Sequence, residues 1–219
     1  MEINTVIFDM DGVIFDTESL YLKHWCSIFS KYGYEMTKEN YLLVMGRGRK
    51  VVKEKFLSMY GEKLPIDDMY KEKDYELSKY IEENEVPIKE GAYELLEFLS
   101  KKGYKIALAT SAKKGRAMKH LKDSKFKDYF DVIITGEDIE KAKPNPEIFL
   151  KALEKLDVEP KNAIVIEDSI AGIKAAKNAG IFAVHTPDLK EPDEEMLKEA
   201  DVIVSNLIEI KTLVQNLEE

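Results

Sequence analysis

The chain has 219 residues, of which 44% are apolar and 34% are charged, and its net charge is −9. This length fits one large domain, or one domain that carries a smaller insert. The acidic balance argues against a general nucleic-acid binder, which would normally show a basic field, but it is compatible with an anionic substrate because a bound cation and a few lysines can invert the local field.

Six short apolar runs are typical of buried parallel strands, and helix-like segments lie between most of them. In chain order, the strand candidates are residues 6–8, 106–109, 132–134, 164–166, 182–184 and 202–204. The corresponding helix candidates are residues 90–102, 146–156, 169–179 and 207–217. Gly103 and Gly180 can end two of these helices, and Asn145 followed by Pro146 can begin another. Strands that alternate with helices predict an α/β fold with a doubly wound parallel sheet.

The interval between the first two strands breaks this alternation. It contains no convincing strand and is read as helices at residues 17–31, 38–45, 50–60 and 67–83. The simplest interpretation is a small helical domain inserted into the chain. We therefore predict a catalytic core formed by residues 1–15 and 88–219, and an inserted helical cap formed by residues 16–87.

Acidic, hydroxyl and lysine residues follow four of the predicted strands, close to the point where each strand ends. They are Asp9 and Asp11 after the first strand, Thr110 and Ser111 after the second, Lys143 a short loop after the third, and Glu167 and Asp168 after the fourth. In open α/β sheets the ligand crevice lies outside the carboxyl ends of the strands. We therefore expect these side chains to meet in one crevice.

Four segments at these positions resemble the motifs of the haloacid dehalogenase-like superfamily, in its phosphatase and phosphomutase branch. The segments are residues 6–13 (VIFDMDGV), 106–111 (IALATS), 143–149 (KPNPEIF) and 166–172 (IEDSIAG). Any one of them is a weak signal, but four in the right order, each after a predicted strand, are specific. The resemblance covers essentially the whole chain, because the helical insert matches the four-helix cap of that branch. It implies a Rossmann-like core and a monomer.

The resemblance implies distinct roles for the two aspartates of the first motif. A carboxylate can attack phosphorus and form an acyl phosphate, which divides one difficult displacement into two, and Asp9 is the candidate nucleophile. Asp11 would protonate the leaving oxygen and later take a proton from water, which is help worth roughly 10²–10⁴-fold. Gly12 permits the sharp turn that brings the two carboxylates together.

The resemblance also implies a bound Mg²⁺, which would join carboxylates that otherwise repel one another. This ion prefers hard oxygen ligands and keeps several waters. The expected ligands are the side chains of Asp9 and Asp168, together with the backbone carbonyl of Asp11. Glu167 is expected to bind either directly or through water. The ion would screen the repulsion between Asp9 and an incoming phosphate.

The remaining motif residues are expected to hold the phosphate. The Thr110 hydroxyl and the Ser111 backbone amide would bind its non-bridging oxygens, and Lys143 would neutralise charge in the transition state. Thr110 and Ser111 are also expected to cap the following helix. The two roles are compatible because a helix N-terminus can itself bind phosphate. In the cap, the loop at residues 46–49 contains Gly46 and Arg49 and could clamp an anionic or sugar substrate. A simple basic turn is a nearly equal alternative for this loop.

Asp11 and Tyr21 narrow the choice among members of the family. The dehalogenase branch lacks the second aspartate of the first motif, so Asp11 disfavours carbon–halogen cleavage. Residues 11–17 and Arg49 look like β-phosphoglucomutase, but the mutase pattern has a histidine in the first cap helix, near Tyr21 here. This departure favours a phosphatase that acts on a sugar phosphate or a similar small phosphorylated metabolite. A non-catalytic metabolite-binding relative stays open as another class, although its signature would be loss of Asp9 or Asp11.

The single cysteine and the hydropathy pattern bear on location. Cys26 is the only cysteine, so no intramolecular disulfide can form, which suits a reducing cytoplasm. No apolar run approaches the roughly 20 residues needed to span a bilayer, and residues 1–4 do not begin a signal peptide. We therefore expect a cytoplasmic protein whose partner is a small metabolite, with neither nucleic acid nor membrane as a partner.

Overall fold

The computed structural model describes residues 3–45 and 49–218. The chain divides into two compact units, one formed by Met1–Asp16 with Val86–Glu219 and the other by Thr17–Glu85. We call the first the sheet unit and the second the helical unit. The loop predicted to clamp a substrate is described only in part, because Gly46 and Arg47 lie outside the described residues.

Among the described residues, six parallel strands form one sheet with the order β3-β2-β1-β4-β5-β6. The strands are β1 (Thr5–Phe8), β2 (Lys105–Ala109), β3 (Val132–Ile134), β4 (Ala163–Glu167), β5 (Phe182–His185) and β6 (Val202–Ile203). Val6 of the inner strand β1 pairs with Ile106 on one side and with Ile164 on the other. All residues of β1 and β4 are buried, as expected for parallel strands between layers of helices. The predicted doubly wound α/β fold is confirmed.

The described part of the chain contains ten α-helices. Those of the helical unit are α1 (Thr17–Lys31), α2 (Lys38–Leu42), α3 (Arg49–Tyr60) and α4 (Ile66–Glu83). Those of the sheet unit are α5 (Ala92–Lys102), α6 (Lys114–Asp123), α7 (Glu147–Leu156), α8 (Ile170–Asn178), α9 (Glu194–Glu199) and α10 (Leu207–Glu218). Within these described helices, none combines the length and the apolar character that crossing a bilayer requires.

The structure departs from the predicted helices at particular places. No bounds are predicted for α6, the helix expected after Ser111, because its sequence is rich in lysine and only Ala117, His120 and Leu121 are buried, which leaves a thin apolar stripe. The short helix α9 is absent from the prediction. The helix α7 begins one residue later than predicted, with Pro146 as its N-cap, and the Asn145 side chain accepts from the backbone N–H after that cap at 3.1 Å.

Helix α5 shows how the sequence specifies a boundary in the sheet unit. Its buried residues recur at helical spacing, which gives the helix one apolar face. They are Ala92, Leu95, Leu96 and Leu99. The helix ends at Gly103, whose φ of 79° lies in the left-handed region that glycine adopts readily, and its N–H bonds back to the last turn. The predicted terminator at this position is confirmed.

The helical unit is held together largely by aromatic rings. Five side chains form what we call the aromatic cluster: Trp25, Phe29, Phe56, Tyr60 and Tyr70. The ring centres of Trp25 and Tyr70 are 4.8 Å apart, and those of Phe29 and Phe56 are 5.2 Å apart, in edge-to-face arrangements. Such pairs contribute about 0.5–1.5 kcal/mol beyond the area that they bury. This unit therefore has its own apolar core.

Candidate active site

Asp9 lies directly beyond β1, at the carboxyl end of an inner strand. Its backbone N–H donates to the carbonyl of Ile166 at 3.0 Å, which extends the parallel pairing with β4 by one residue. The chain then turns sharply at Gly12, whose φ of 78° is rarely adopted by residues with a side chain. The N–H of Gly12 closes this turn by donating to the carbonyl of Phe15 at 2.8 Å. The turn thus places residues 9–12 along the edge of the sheet.

Lys143 lies between two carboxylates at the same edge. Its Nζ forms one ion pair with Asp9 Oδ1 and another with Glu167 Oε1, the second at 2.6 Å. The side chains of Lys143, Asp9 and Glu167 are only 7%, 11% and 1% exposed, respectively. We call these three side chains the charge triad. Because buried charges are tolerated only when they are paired and hydrogen-bonded, each member of the triad depends on the others.

Burial and neighbouring charges set the pKa values in the triad. Burial raises the pKa of the Asp9 carboxyl to about 7; Lys143 opposes this rise, while the negative charges of Glu167 and Asp11 add to it. Burial would lower the pKa of the Lys143 ammonium, but the two carboxylates outweigh burial and hold that pKa above its ordinary value. Lys143 therefore stays charged at neutral pH and keeps the pKa of Asp9 from rising further.

Both carboxylate oxygens of Glu167 have partners within the protein. Oε1 accepts from Lys143, and Oε2 accepts from the backbone N–H of Ser169 at 3.0 Å and from its hydroxyl at 2.9 Å. The Ser169 oxygen in turn accepts from the N–H of Gly172 at 3.1 Å, which caps α8. A Cβ at Gly172 would overlap the Glu167 carboxylate. Glycine at this position is therefore what lets the first turn of α8 approach Glu167.

Asp11 is held by an arginine that the sequence pattern does not identify. Arg116, in the first turn of α6, donates from Nη2 to Asp11 Oδ2. The other carboxylate oxygen of Asp11, Oδ1, is buried, and within the described structure it has no hydrogen-bond partner. Because the bounds of α6 and its buried face are not predicted, the sequence carries no signal for Arg116. Asp11 itself lies where predicted, in the turn after β1.

Thr110 and Ser111 follow β2, next to the strand that carries Asp9. The N–H of Thr110 donates to the carbonyl of Ile134 at 3.0 Å, and its Oγ1 accepts from the N–H of Ala112 at 3.0 Å. The prediction that these two residues cap the next helix is wrong, because α6 begins at Lys114 with residue 113 as its N-cap. The hydroxyl instead closes a short turn, and its own proton can still be donated to a ligand.

Two further carboxylates flank the turn at Gly12. A Cβ placed on Gly12 would lie 2.8 Å from Asp168 Cγ and 3.2 Å from Asp188 Oδ2. The other oxygen of Asp188, Oδ1, accepts from Lys89 Nζ at 2.7 Å. The sequence-based prediction omits Asp188 and Lys89. The strand-end rule that points to Asp168 also covers Asp188, which follows β5, so the sequence held a signal for this carboxylate.

The loop that carries Lys143 is tied down by a glutamate at the start of α7. The Glu147 carboxylate accepts from the backbone N–H groups of Glu140 at 3.0 Å and Lys141 at 2.9 Å. The hydrogen bond from Lys151 and these two backbone bonds lower the pKa of Glu147 to about 2. The carboxylate is therefore ionised at neutral pH, and it fixes the backbone shortly before Lys143.

Arg49, the predicted substrate residue of the inserted segment, belongs to the helical unit. It begins α3 and pairs with Asp74, and its Cζ lies 4.5 Å from the centre of the Tyr70 ring. A cavity of about 260 Å³ in this unit is lined by aromatic, aliphatic and charged side chains. The lining residues are Glu18, Tyr21, Trp25, Tyr41, Val44, Met45, Arg49, Val52, Tyr70 and Lys73. Gly46, the other residue predicted to bind substrate here, lies outside the described residues.

Tyr21, the residue expected near the position of the mutase histidine, belongs to the same cavity. Tyr21 lines it, and Lys73 Nζ lies 5.7 Å from the centre of the Tyr21 ring. His24 is directed elsewhere: its Nδ1 lies 2.9 Å from the carbonyl oxygen of Leu20, and its ring packs edge-on against Tyr80. At this position the chain therefore offers the cavity a phenol ring rather than an imidazole.

Comparison with known proteins shows the family of this chain. Residues 6–186 match the haloacid dehalogenase-like hydrolases as a family. The chain belongs to the haloacid dehalogenase-like hydrolase family. This hydrolase is 36% identical over 206 residues to the phosphorylated carbohydrates phosphatase of Thermotoga maritima, with 90% of this chain and 91% of that protein covered. The resemblance found in the motifs is confirmed, and so is the prediction of an enzyme of the phosphatase class.

Solved structures show the same fold. The structure of CbbY from Rhodobacter sphaeroides in complex with phosphate matches with a TM-score of 0.72 at 28% identity and covers 95% of this chain and 96% of that one. The β-phosphoglucomutase of Clostridium difficile matches with a TM-score of 0.71, also at 28% identity, over 98% of both chains. This hydrolase is therefore similar to a phosphatase and to a phosphomutase across nearly its whole length.

Proposed function

We propose that this hydrolase is a Mg²⁺-dependent phosphatase that acts on a small phosphorylated carbohydrate through an aspartyl-phosphate on Asp9. The charge triad is the observation that carries the proposal. It places a carboxylate whose pKa is about 7 beside an ammonium that is charged at neutral pH, at the carboxyl ends of the strands, where α/β sheets bind ligands.

The first half-reaction transfers the phosphoryl group to the enzyme. An Asp9 oxygen attacks phosphorus, the bond between phosphorus and the leaving oxygen breaks, and Asp11 gives its proton to that oxygen. In the second half-reaction, water attacks the phosphorus of the acyl phosphate while Asp11 takes the proton of the water. Inorganic phosphate leaves, and the Asp9 carboxylate is restored. Arg116 holds the Asp11 carboxylate in the turn beside Asp9.

Three groups are suited to stabilise the charge that spreads over the phosphoryl oxygens. Lys143 supplies an ammonium that is already in place, so it needs little rearrangement as charge develops. The Thr110 hydroxyl can donate a hydrogen bond, and the Ser111 backbone N–H follows it in the same turn after β2. These assignments match the expectation from the motifs, and they rest on neighbouring strand ends delivering the three groups to one edge.

The oxygen donors at this edge fit Mg²⁺, which is commonly bound through one or two carboxylates and several waters. One Asp11 oxygen is buried and has no hydrogen-bond partner among the described residues. Among the described residues, no three His, Cys, Asp or Glu side chains are arranged to hold a metal by themselves. We assign Asp9, Asp168 and the backbone carbonyl of Asp11 as ligands. We assign Glu167 a contact through water, since both its oxygens have protein partners. When bound, the ion would screen the repulsion between Asp9 and the substrate phosphate.

A carbohydrate substrate is supported by the Thermotoga maritima relative, whose name refers to phosphorylated carbohydrates. The cavity of the helical unit has suitable chemistry of its own. Aromatic faces such as Trp25 can pack against the C–H groups of a sugar, and the Glu18 carboxylate can accept hydrogen bonds from hydroxyls. In the structure, the Tyr41 hydroxyl donates to Glu18 at 2.5 Å.

We also propose that the sheet unit is the catalytic core and that the helical unit is the cap. The enzyme is proposed to be monomeric and cytoplasmic.

A phosphomutase is the second candidate, because the Clostridium difficile mutase matches over the whole chain. A mutase must return the phosphoryl group to a sugar hydroxyl, whereas a phosphatase gives it to water. The phenol of Tyr21 cannot act as the imidazole of the mutase pattern, and His24 is bonded to its own helix. We therefore expect β-glucose 1-phosphate to yield free glucose and inorganic phosphate rather than glucose 6-phosphate.

The test is phosphate release from a panel of sugar phosphates, with Mg²⁺ and with a chelator. We expect Mg²⁺-dependent turnover, and Asp9→Asn should lower kcat by on the order of 10⁴-fold or more. The exposed Asp128→Asn variant is a matched control that should keep wild-type activity. Asp11→Asn should lower kcat by about 10²–10⁴-fold, because Asp11 donates the proton of the first half-reaction and accepts the proton of the second.

Two outcomes would contradict the proposal. If the wild-type protein with Mg²⁺ releases phosphate from no member of the panel, it is not a phosphatase of these esters and the non-catalytic alternative gains support. Normal turnover by a folded Asp9→Asn variant would remove Asp9 as the nucleophile while leaving phosphatase activity established.

A further inference from the structure

We infer that Asp188 belongs to the cation site, where its free oxygen accepts a hydrogen bond from a water of the bound ion. The inference rests on the proposed Mg²⁺ dependence. Asp188 comes shortly after β5, and β5 lies next to β4 in the sheet, with His185 paired to Glu167 at their ends. The chain thus brings Asp188 to the same edge as Asp168, from the neighbouring strand.

The two oxygens of Asp188 are treated differently by the protein. The side chain is only 2% exposed. Oδ1 accepts from Lys89 Nζ at 2.7 Å, whereas Oδ2 is buried and has no hydrogen-bond partner in the described structure. Leaving a buried charged acceptor unsatisfied carries the full cost of removing that group from water. An orphaned oxygen of this kind needs an explanation, and an absent ion or water is one of the ordinary ones.

The orphaned oxygen points at the proposed metal ligands. The position that a Cβ on Gly12 would occupy lies 3.2 Å from Asp188 Oδ2 and 2.8 Å from Asp168 Cγ, so both carboxylates face the same point of the turn. The backbone carbonyl of Asp11, another proposed ligand, directly precedes Gly12. The absence of a side chain at Gly12 is what keeps this space clear.

The chemistry of the surroundings favours a hydrated cation as the missing partner. A carboxylate oxygen can only accept hydrogen bonds when ionised, and the neighbouring Asp168 carboxylate cannot donate one in that state. Lys89, the cation of this pair, is engaged through Oδ1. Mg²⁺ keeps several of its waters, and each such water can donate to a carboxylate outside the direct ligands. Outer partners of this kind orient a metal site and raise its affinity.

The experiment is a calorimetric titration of metal-free protein with MgCl₂, which measures ion affinity without reference to turnover. We expect Asp188→Asn to raise the Kd for Mg²⁺ by about 10–100-fold, the usual effect of removing an outer partner. Glu191→Gln is the matched control, because it removes one negative charge from an exposed position of the same loop. It should leave the Kd within about twofold of the wild-type value, since exposed charges are screened.

Asp188→Asn leaves the Lys89 ammonium without its counter-charge, which could unfold the protein. The double variant Asp188→Asn/Lys89→Met removes the ion pair as a unit, and it should show the same weakened binding. If either variant folds and binds Mg²⁺ within about twofold of the wild-type Kd, the inference is overturned, because outer partners carry more than that. If the wild-type protein itself fails to bind Mg²⁺, the proposed cofactor is wrong, which is a different result.

Discussion

The charge triad of the sheet unit and one ion pair of the helical unit differ sharply in burial. In the sheet unit, the side chains of the charge triad are at most 11% exposed. In the helical unit, Lys53 pairs with Asp67 at 2.6 Å, but these side chains are 37% and 70% exposed. A buried pair becomes strongly destabilising when one partner is removed, whereas an exposed pair contributes about 0–1 kcal/mol. The chain therefore buries charge where the proposed chemistry requires it.

The helical unit obtains its cohesion from the aromatic cluster instead. Phe56 is fully buried and its ring centre lies 5.3 Å from that of Trp25. Rings packed in this way stabilise a fold without any charge. Stability and chemistry are therefore separable at particular residues. A change in the triad affects both, a change at Phe56, which does not line the cavity, affects stability, and a change in an exposed pair affects neither greatly.

Lys143→Met should give the largest effect, because it removes the cation from between two carboxylates. We expect kcat to fall by about 10²–10³-fold or more, as when one charge-stabilising donor is lost from an active site. The free energy of unfolding should fall by about 3–5 kcal/mol, since Asp9 and Glu167 are left buried and unpaired. Phosphate release and urea unfolding followed by circular dichroism would measure the two quantities.

The same variant has a defined pH dependence. Lys143 is the group that opposes the rise in the pKa of Asp9, so without it that pKa should lie above the present value of about 7. A carboxyl whose pKa is raised by folding contributes stability that is complete below its unfolded pKa and is lost as pH rises through its folded pKa. Metal-free Lys143→Met should therefore be more destabilised at pH 8 than at pH 6. The exposed control Lys141→Met should keep the wild-type dependence of stability on pH. Equal losses of stability in Lys143→Met at both pH values, or the same pH-dependent loss in Lys141→Met, would contradict this account of the triad.

Phe56→Ala should give the next largest effect, and only on stability. Truncation of a buried phenylalanine costs about 3–5 kcal/mol through lost burial and the cavity left behind. Trp25 is the only tryptophan and lies in the aromatic cluster, so its fluorescence reports unfolding of the helical unit. Tyr75→Ala is the control, because Tyr75 is 69% exposed. The affinity for Mg²⁺ should not change in either variant; a loss of Mg²⁺ binding in Phe56→Ala would break the separation of the two units.

The sequence was sufficient to predict the sheet, because the apolar runs are short, buried and regularly followed by polar residues. The same feature located Asp9 and Lys143, since position after a strand is a property of the sequence as much as of the fold. The order of the strands in the sheet is not predicted by these runs, because it depends on which strands pair. For the strands and the residues that directly follow them, the sequence pattern therefore predicts most of what the structure shows.

Other parts of the site depend on packing that no local pattern records. Arg116 reaches Asp11 from α6, a helix whose apolar stripe is too thin to be recognised. The capping role predicted for Thr110 fails because the chain makes an extra turn before that helix begins. Asp188 is an intermediate case. Its position after β5 can be read from the sequence, whereas the lack of a partner for its Oδ2 within the described structure and its closeness to Gly12 depend on the tertiary fold.

Removal of the exposed pair between Lys53 and Asp67 should give the smallest effect on stability, and it tests whether exposed charges of the helical unit contribute little. A double-mutant cycle with Lys53→Gln and Asp67→Asn isolates their interaction, which should be about 0.2–1 kcal/mol, since most of the Coulomb attraction is lost to water. Raising the salt concentration should reduce it further, because exposed charges are screened. The coupling energy is measured by urea unfolding, as for Lys143→Met. A value as large as the loss of unfolding free energy in Lys143→Met would mean that burial does not distinguish the triad from this exposed pair.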